Sequence, residues 1–131
     1  MKSQTYLLDT SFIVDYGDEI AAGIQGPARR TMHGINPRHA FVSPVTVAEL
    51  MEGATDRDIV LKTIEKFRRQ PIGEAIAHRC ALNQARSDRR MGENDAWQAA
   101  IAVASGHKLV GHDQAFKNRP WLNYLDHRKP M

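Results

Sequence analysis

The chain has a single cysteine, Cys80, so no internal disulfide can staple it and no cysteine pair is available for a zinc cage. Its six histidines fall at no zinc spacing: His107 and His112 are five residues apart with no cysteines beside them. No Gly-rich loop of the P-loop or dinucleotide-binding kind occurs. Long apolar runs are missing too, none approaching the roughly 18 residues of a membrane span. The short apolar stretch near Met1 runs into Asp9 with no cleavage-like segment behind it, so we expect no secretory leader and a cytoplasmic protein. At 42% hydrophobic and 25% charged residues, the composition is ordinary for a globular chain and excludes wholesale disorder. The 131 residues suit one domain spanning 1–131.

Charge is distributed unevenly. Residues 1–56 hold 4 basic and 7 acidic side chains, residues 57–90 hold 9 and 4, and residues 91–131 hold 5 and 4. The basic middle offers either a solvated helix face or a face for a polyanion. Arg86, Arg89 and Arg90 read both ways: as the polar side of a helix, or as a draw on RNA backbone.

Short apolar runs alternate with helical patterns. Tyr6-Leu7-Leu8 reads as a buried strand, followed by capping chemistry at Asp9-Thr10-Ser11. Pro27 opens a helix over 28–33, and Ala40-Phe41-Val42 reads as a second strand. A helix follows from about Val45 to Glu52. Asp56 caps a long helix carrying Ile59, Val60, Ile64 and Phe67, ended by Pro71. Another long helix runs from Glu74 to Arg90, with Cys80 as a buried thiol. A small-residue helix covers Asp95 to Ser105, with Trp97 in its first turn as a core or interface residue. Lys108-Leu109-Val110 makes a third strand, and the stretch from Trp121 to Leu125 offers a last one. Such alternation implies an α/β fold, a mostly parallel sheet covered by helices in three layers.

Ligands of parallel sheets bind at the carboxyl ends of the strands, which directs attention to four acids. Asp9 ends the first strand, Asp113 ends the third, Asp95 opens the small-residue helix, and Glu49 lies one turn into the helix after the second strand. Each has a bland reading: Asp9 and Asp95 as helix N-caps, Glu49 as a solvated helix residue, Asp113 as a turn residue. Together at one sheet edge they would repel unless protons or cations neutralised them. Hard oxygen ligands of this kind suit Mg²⁺ or Mn²⁺, ions that bridge phosphate oxygens and activate water. An aspartyl-nucleophile phosphatase is disfavoured, because the place two residues after Asp9 is Ser11. His112 beside the acids reads as a loop histidine or a phosphate contact, and Glu93 as a solvated loop residue.

The segment Leu7-Leu8-Asp9-Thr10-Ser11-Phe12 resembles the opening motif of the PIN-domain ribonucleases. The stretch from Ser43 to Gly53 is similar to that family's second motif, Gly92-Glu93-Asn94-Asp95-Ala96-Trp97-Gln98-Ala99-Ala100 to the third, and Leu109-Val110-Gly111-His112-Asp113-Gln114-Ala115-Phe116 to the fourth. Their order and spacing resemble the VapC-type toxins of bacterial toxin–antitoxin pairs. The resemblance implies a Mg²⁺- or Mn²⁺-dependent endoribonuclease with Asp9, Glu49, Asp95 and Asp113 as its catalytic, metal-binding acids, Asp9 and Asp95 in direct contact. Thr10 and Ser11 would hydrogen-bond around the Asp9 carboxylate. It further implies an RNA substrate, a cognate antitoxin, a homodimer and no membrane. Gly111 departs from the pattern, which has Thr or Ser there, so a hydroxyl that would orient a carboxylate or water is missing. That departure leaves a catalytically weak RNA-binding or protein-interaction module as the alternative.

Overall fold

A computed structural model describes residues 3–129. Five strands form one sheet: β1 (Thr5–Leu8), β2 (Ala40–Val42), β3 (Arg68–Arg69), β4 (His107–Gly111) and β5 (Tyr124–Asp126), in the order β3-β2-β1-β4-β5. Every pairing is parallel, as the helical crossovers require. The crossovers are α1 (Thr10–Ala22), α2 (Pro27–His33), α3 (Pro44–Gly53), α4 (Arg57–Ile64), α5 (Glu74–Arg86) and α6 (Glu93–Ser105).

Helices cover both faces of the sheet, so both faces of its central strands are apolar. Leu8 and Val110 point into one core with Phe12, Ile13 and Tyr16 of α1, Ala28 and Met32 of α2, and Ile64 and Phe67. Their neighbours Leu7 and Leu109 point the other way, among Ala96, Ala99, Ala100 and Ile101 of α6 and Ile76 of α5. The small residues of α6 let that helix lie close against the sheet, which fixes the height of its first turn over the strand ends. Trp97 is half-buried against this second core. Gly106 ends α6 in the left-handed region, at φ 72°, where a residue with a Cβ is strained.

Three helix boundaries and the burial of one residue differ from the sequence reading. The long helix expected to run to Pro71 stops at Ile64, and Arg68-Arg69 instead adds a short edge strand beside β2. The helix from Glu74 ends at Arg86 rather than Arg90, where the Ser87 hydroxyl donates to Asn83 O at 2.6 Å. The small-residue helix begins at Glu93, so Glu93 is its exposed first residue and not part of a loop. Cys80 is half-buried rather than enclosed. Its thiol pKa is pushed up by burial, with the Arg90 charge opposing.

The last strand is tied down by a contact from the opposite end of the chain. Arg128 grips Asp15 of α1 with two bonds, Nε to Oδ2 at 2.7 Å and Nη2 to Oδ1 at 2.9 Å. The ring of His127 reaches the same carboxylate at 2.7 Å. The Arg128 guanidinium holds the Asp15 carboxyl below its ordinary range, against the opposing effect of burial. Among the described residues no helix is long and apolar enough to cross a membrane.

Candidate active site

Asp9 stands where β1 becomes α1. It is the N-cap of α1, accepting from Ser11 N at 3.3 Å, and it is also buried. The Ser11 hydroxyl donates to Asp9 Oδ2 at 2.8 Å, and Gln98 Nε2 donates to Oδ1 at 3.1 Å. Burial pushes the Asp9 carboxyl up, the donors from Gln98 and Ser11 pull it down, and the charge of Glu49 adds to the rise.

Asp95 is not an N-cap. Gly92 takes that place with no side-chain bond, and Asp95 lies inside the first turn of α6. There the helix end favours a negative charge. Its pKa is nonetheless pushed up to about 6, first by burial and then by Asp113, Asp9 and Glu49 in that order. Asp95 thus feels the charges of Asp113, Asp9 and Glu49, so acids from the end of β1, α3, α6 and the turn after β4 lie near one another at the carboxyl edge of the sheet.

Glu49 is half-buried on α3, where it accepts from the Thr10 hydroxyl at 2.6 Å. Thr10 therefore does not serve Asp9 as the sequence suggested; α1 presents adjacent hydroxyls to two different acids, Ser11 to Asp9 and Thr10 to Glu49. Asp113 caps the short turn after β4 through Ala115 N at 2.9 Å. Its own backbone N–H donates to the Tyr124 hydroxyl of β5 at 3.1 Å. That phenol is pushed up to about 12, mainly by burial, with the nearby carboxylates Asp126, Asp9 and Asp113 adding to it. Tyr124 thus presents a neutral hydroxyl to the Asp113 backbone.

Gly111 has a geometric cause. A Cβ there would lie 2.8 Å from Asp9 Cβ and 2.9 Å from Ser11 Oγ. The Ser11 hydroxyl already fills that space, donating to Asp9 and accepting from His112 N at 2.8 Å.

Of the other candidates, His112 turns its ring to Asp126, with Nδ1 3.0 Å from Oδ1. Arg89 donates to Lys117 O at 2.7 Å, tying the end of α5 to the turn after Asp113; Arg86 and Arg90 are exposed. Sequence reasoning missed Gln98 and Tyr124. Gln98 falls inside the third motif, but its partner Asp9 lies far away in sequence; Tyr124, beyond the fourth motif, reaches back to the Asp113 backbone.

The donor set fits a hard divalent cation: carboxylate oxygens, no thiolate, and mutual repulsion that a cation would relieve. Among the described residues no group of three or more acids, histidines or cysteines stands close enough, as the side chains lie, to hold a metal ion.

A PIN domain family model matches residues 6–122, and the chain belongs to that family. Solved structures of the same fold come from toxin–antitoxin systems. FitAcB from Neisseria gonorrhoeae superposes with a TM-score of 0.77 at 18% identity, covering 94% of this chain and 98% of that one. VapBC-1 from nontypeable Haemophilus influenzae gives 0.72 at 22%, covering 96% and 100%. The sarcin-ricin loop cleaving toxin VapC20 from Mycobacterium tuberculosis gives 0.65 at 20%, covering 86% and 92%. No curated protein sequence matches the chain.

Proposed function

We propose that this chain is a metal-dependent endoribonuclease, the toxin of a toxin–antitoxin pair, working in the cytoplasm. Asp9, Glu49, Asp95 and Asp113 are its acidic site, holding Mg²⁺ or Mn²⁺. The observation that carries this reading is the convergence of the four carboxylates, each on a different element, at the carboxyl edge of a parallel sheet. Such an ion supplies Lewis acidity toward phosphate oxygens and activates water for in-line attack. The chain's own residues fix the site: Ser11 and Gln98 hold Asp9, Thr10 holds Glu49, and Tyr124 holds the loop that presents Asp113. Gly111 does not argue for a decayed site, since the Ser11 hydroxyl occupies the space beside it.

The toxin–antitoxin complexes of this fold support a cognate antitoxin as partner, and the RNA-cleaving VapC20 supports RNA as substrate. A homodimer is the expected assembly. The test is the purified full-length chain, freed of antitoxin, incubated with RNA and Mg²⁺ or Mn²⁺, its mass read by light scattering. Cleavage is expected, together with a loss of orders of magnitude on Asp9→Asn. Silence under both metals, or an Asp9→Asn variant that cuts as well as wild type, overturns the reading.

A further inference from the structure

Gln98 is only 1% exposed, in a stretch of α6 whose next four residues, Ala99, Ala100, Ile101 and Ala102, are also buried. An apolar side chain of the same length would fill that place with no polar group to desolvate, whereas a buried amide is costly unless all its bonds are made. Here they are made, and all lead to the acid site or its supports. Gln98 Nε2 donates to Asp9 Oδ1 at 3.1 Å and to Thr46 Oγ1 at 2.8 Å, while Oε1 accepts from the Ser43 hydroxyl at 2.5 Å.

Proton counting gives this network a direction. Thr10 has one hydroxyl proton, and its 2.6 Å contact with Glu49 takes it. The 3.1 Å approach between the Thr10 and Thr46 hydroxyls is then closed by the proton of Thr46. The oxygen of Thr46 in turn receives the amide of Gln98. One amide therefore reaches Asp9 directly and Glu49 through two hydroxyls. The Ser43 proton on Oε1 locks the amide: flipped, it would turn its oxygen on the Asp9 carboxylate.

We propose that Gln98 is the positioning residue that sets the Asp9 and Glu49 carboxylates jointly, so that both face the metal space before the ion arrives. The inference rests on the reading of these acids as a metal site and names what holds two of them in place. Residues behind metal ligands commonly govern affinity and rate in this way.

The test compares full-length wild type, Gln98→Met and Thr46→Val in Mn²⁺ calorimetry, melting, and cleavage kinetics on an RNA oligonucleotide. Methionine keeps the length and loses every bond; valine keeps the shape of Thr46 and cuts only the arm to Glu49. Gln98→Met is expected to stay folded, to bind Mn²⁺ about 10- to 100-fold more weakly, and to lose kcat by a similar factor. KM for RNA should stay within about threefold. Thr46→Val should shift the same quantities in the same direction by less, and it carries the test should Gln98→Met fail to fold. Wild-type Mn²⁺ affinity and kcat in the folded variants overturn the inference. A wild-type chain that takes up no Mn²⁺ overturns the metal site instead. Gln98 is then decided by the crystal structure of Gln98→Met, where turned Asp9 and Glu49 carboxylates uphold the positioning role and unmoved ones overturn it.

Discussion

Gly111 and Ser11 show how one missing methylene can shape a site. Asp9 leaves β1 with its backbone N–H bonded to Val110 O at 2.9 Å, so it cannot retreat from a new atom on β4. Overpacking of a rigid interior costs about 1–3 kcal/mol, and we expect Gly111→Ala to lose that much in urea denaturation. Its Mn²⁺ affinity should fall as well, because the atoms displaced are the Asp9 carboxylate and the hydroxyl that holds it. A variant as stable as wild type would mean that Ser11 moves aside at little cost. From the sequence, Gly111 read as a lost hydroxyl; its reason was invisible there, because the side chain that fills the space lies 100 positions away. Asp9 was legible as a cap, and the same Asp-Thr-Ser run is what brought it into the proposed site.

At the scale of elements, what could be read followed the apolar periodicity. Strands β1, β2 and β4 declare themselves as short apolar runs bounded by turn residues, and α6 by its small residues. β3 does not: Arg68-Arg69 has no apolar alternation, and it is a strand because an edge beside β2 needs only backbone partners, such as Gln70 N to Val42 O at 2.9 Å. Charge on such an edge also discourages pairing with another chain. The seam joining α1 to the chain after β5 was equally illegible, as Asp15 and Arg128 lie at opposite ends. Its members are unequal. The Arg128 side chain is 49% exposed, so its bonds to Asp15 should contribute under about 1 kcal/mol. The His127 side chain is fully buried and its Nδ1 has no partner, so losing Asp15 strands a buried ring at a cost of about 1–3 kcal/mol. Urea denaturation should therefore find Asp15→Ala more damaging than Arg128→Ala; equal losses in the two variants would place the seam's strength in the guanidinium. Since Asp15 is held below its ordinary pKa, its contribution is complete above that value and fades as pH falls through the lowered one.

For the molecule as a whole, the acid site opposes folding until it is neutralised. Asp95 rises from 3.8 to about 6, and Asp9 is raised too. The folded chain then retains protons that the unfolded chain has already released, so Asp95's contribution to metal-free stability should decline as pH climbs from near 4 to about 6 and level off beyond, with Asp9 adding a decline of the same sign. Mn²⁺ favours the ionised carboxylates and should remove that decline, binding more weakly at low pH and releasing protons as it binds. At 100 times its dissociation constant the ion should stabilise the fold by about 2.7 kcal/mol. Urea denaturation at pH 4.5 and 7, with and without Mn²⁺, reads both effects. A Mn²⁺ response that survives in Asp95→Asn unchanged would remove Asp95 from the site.

The strand order sets a timetable as well as a shape. β1 is the first strand to be synthesised, yet it lies at the centre of the sheet, and one of its two edges stays open until β4 arrives, Thr5 waiting for His107. The fourth acid follows only at Asp113, and the strand whose tyrosine supports it comes later still. A ribosome partway through this message therefore holds a chain with a bare central strand and an incomplete set of acids. Pairings so far apart in sequence also form slowly. Whatever the four acids do together, they can do only once β4 and the turn that follows it have been laid down.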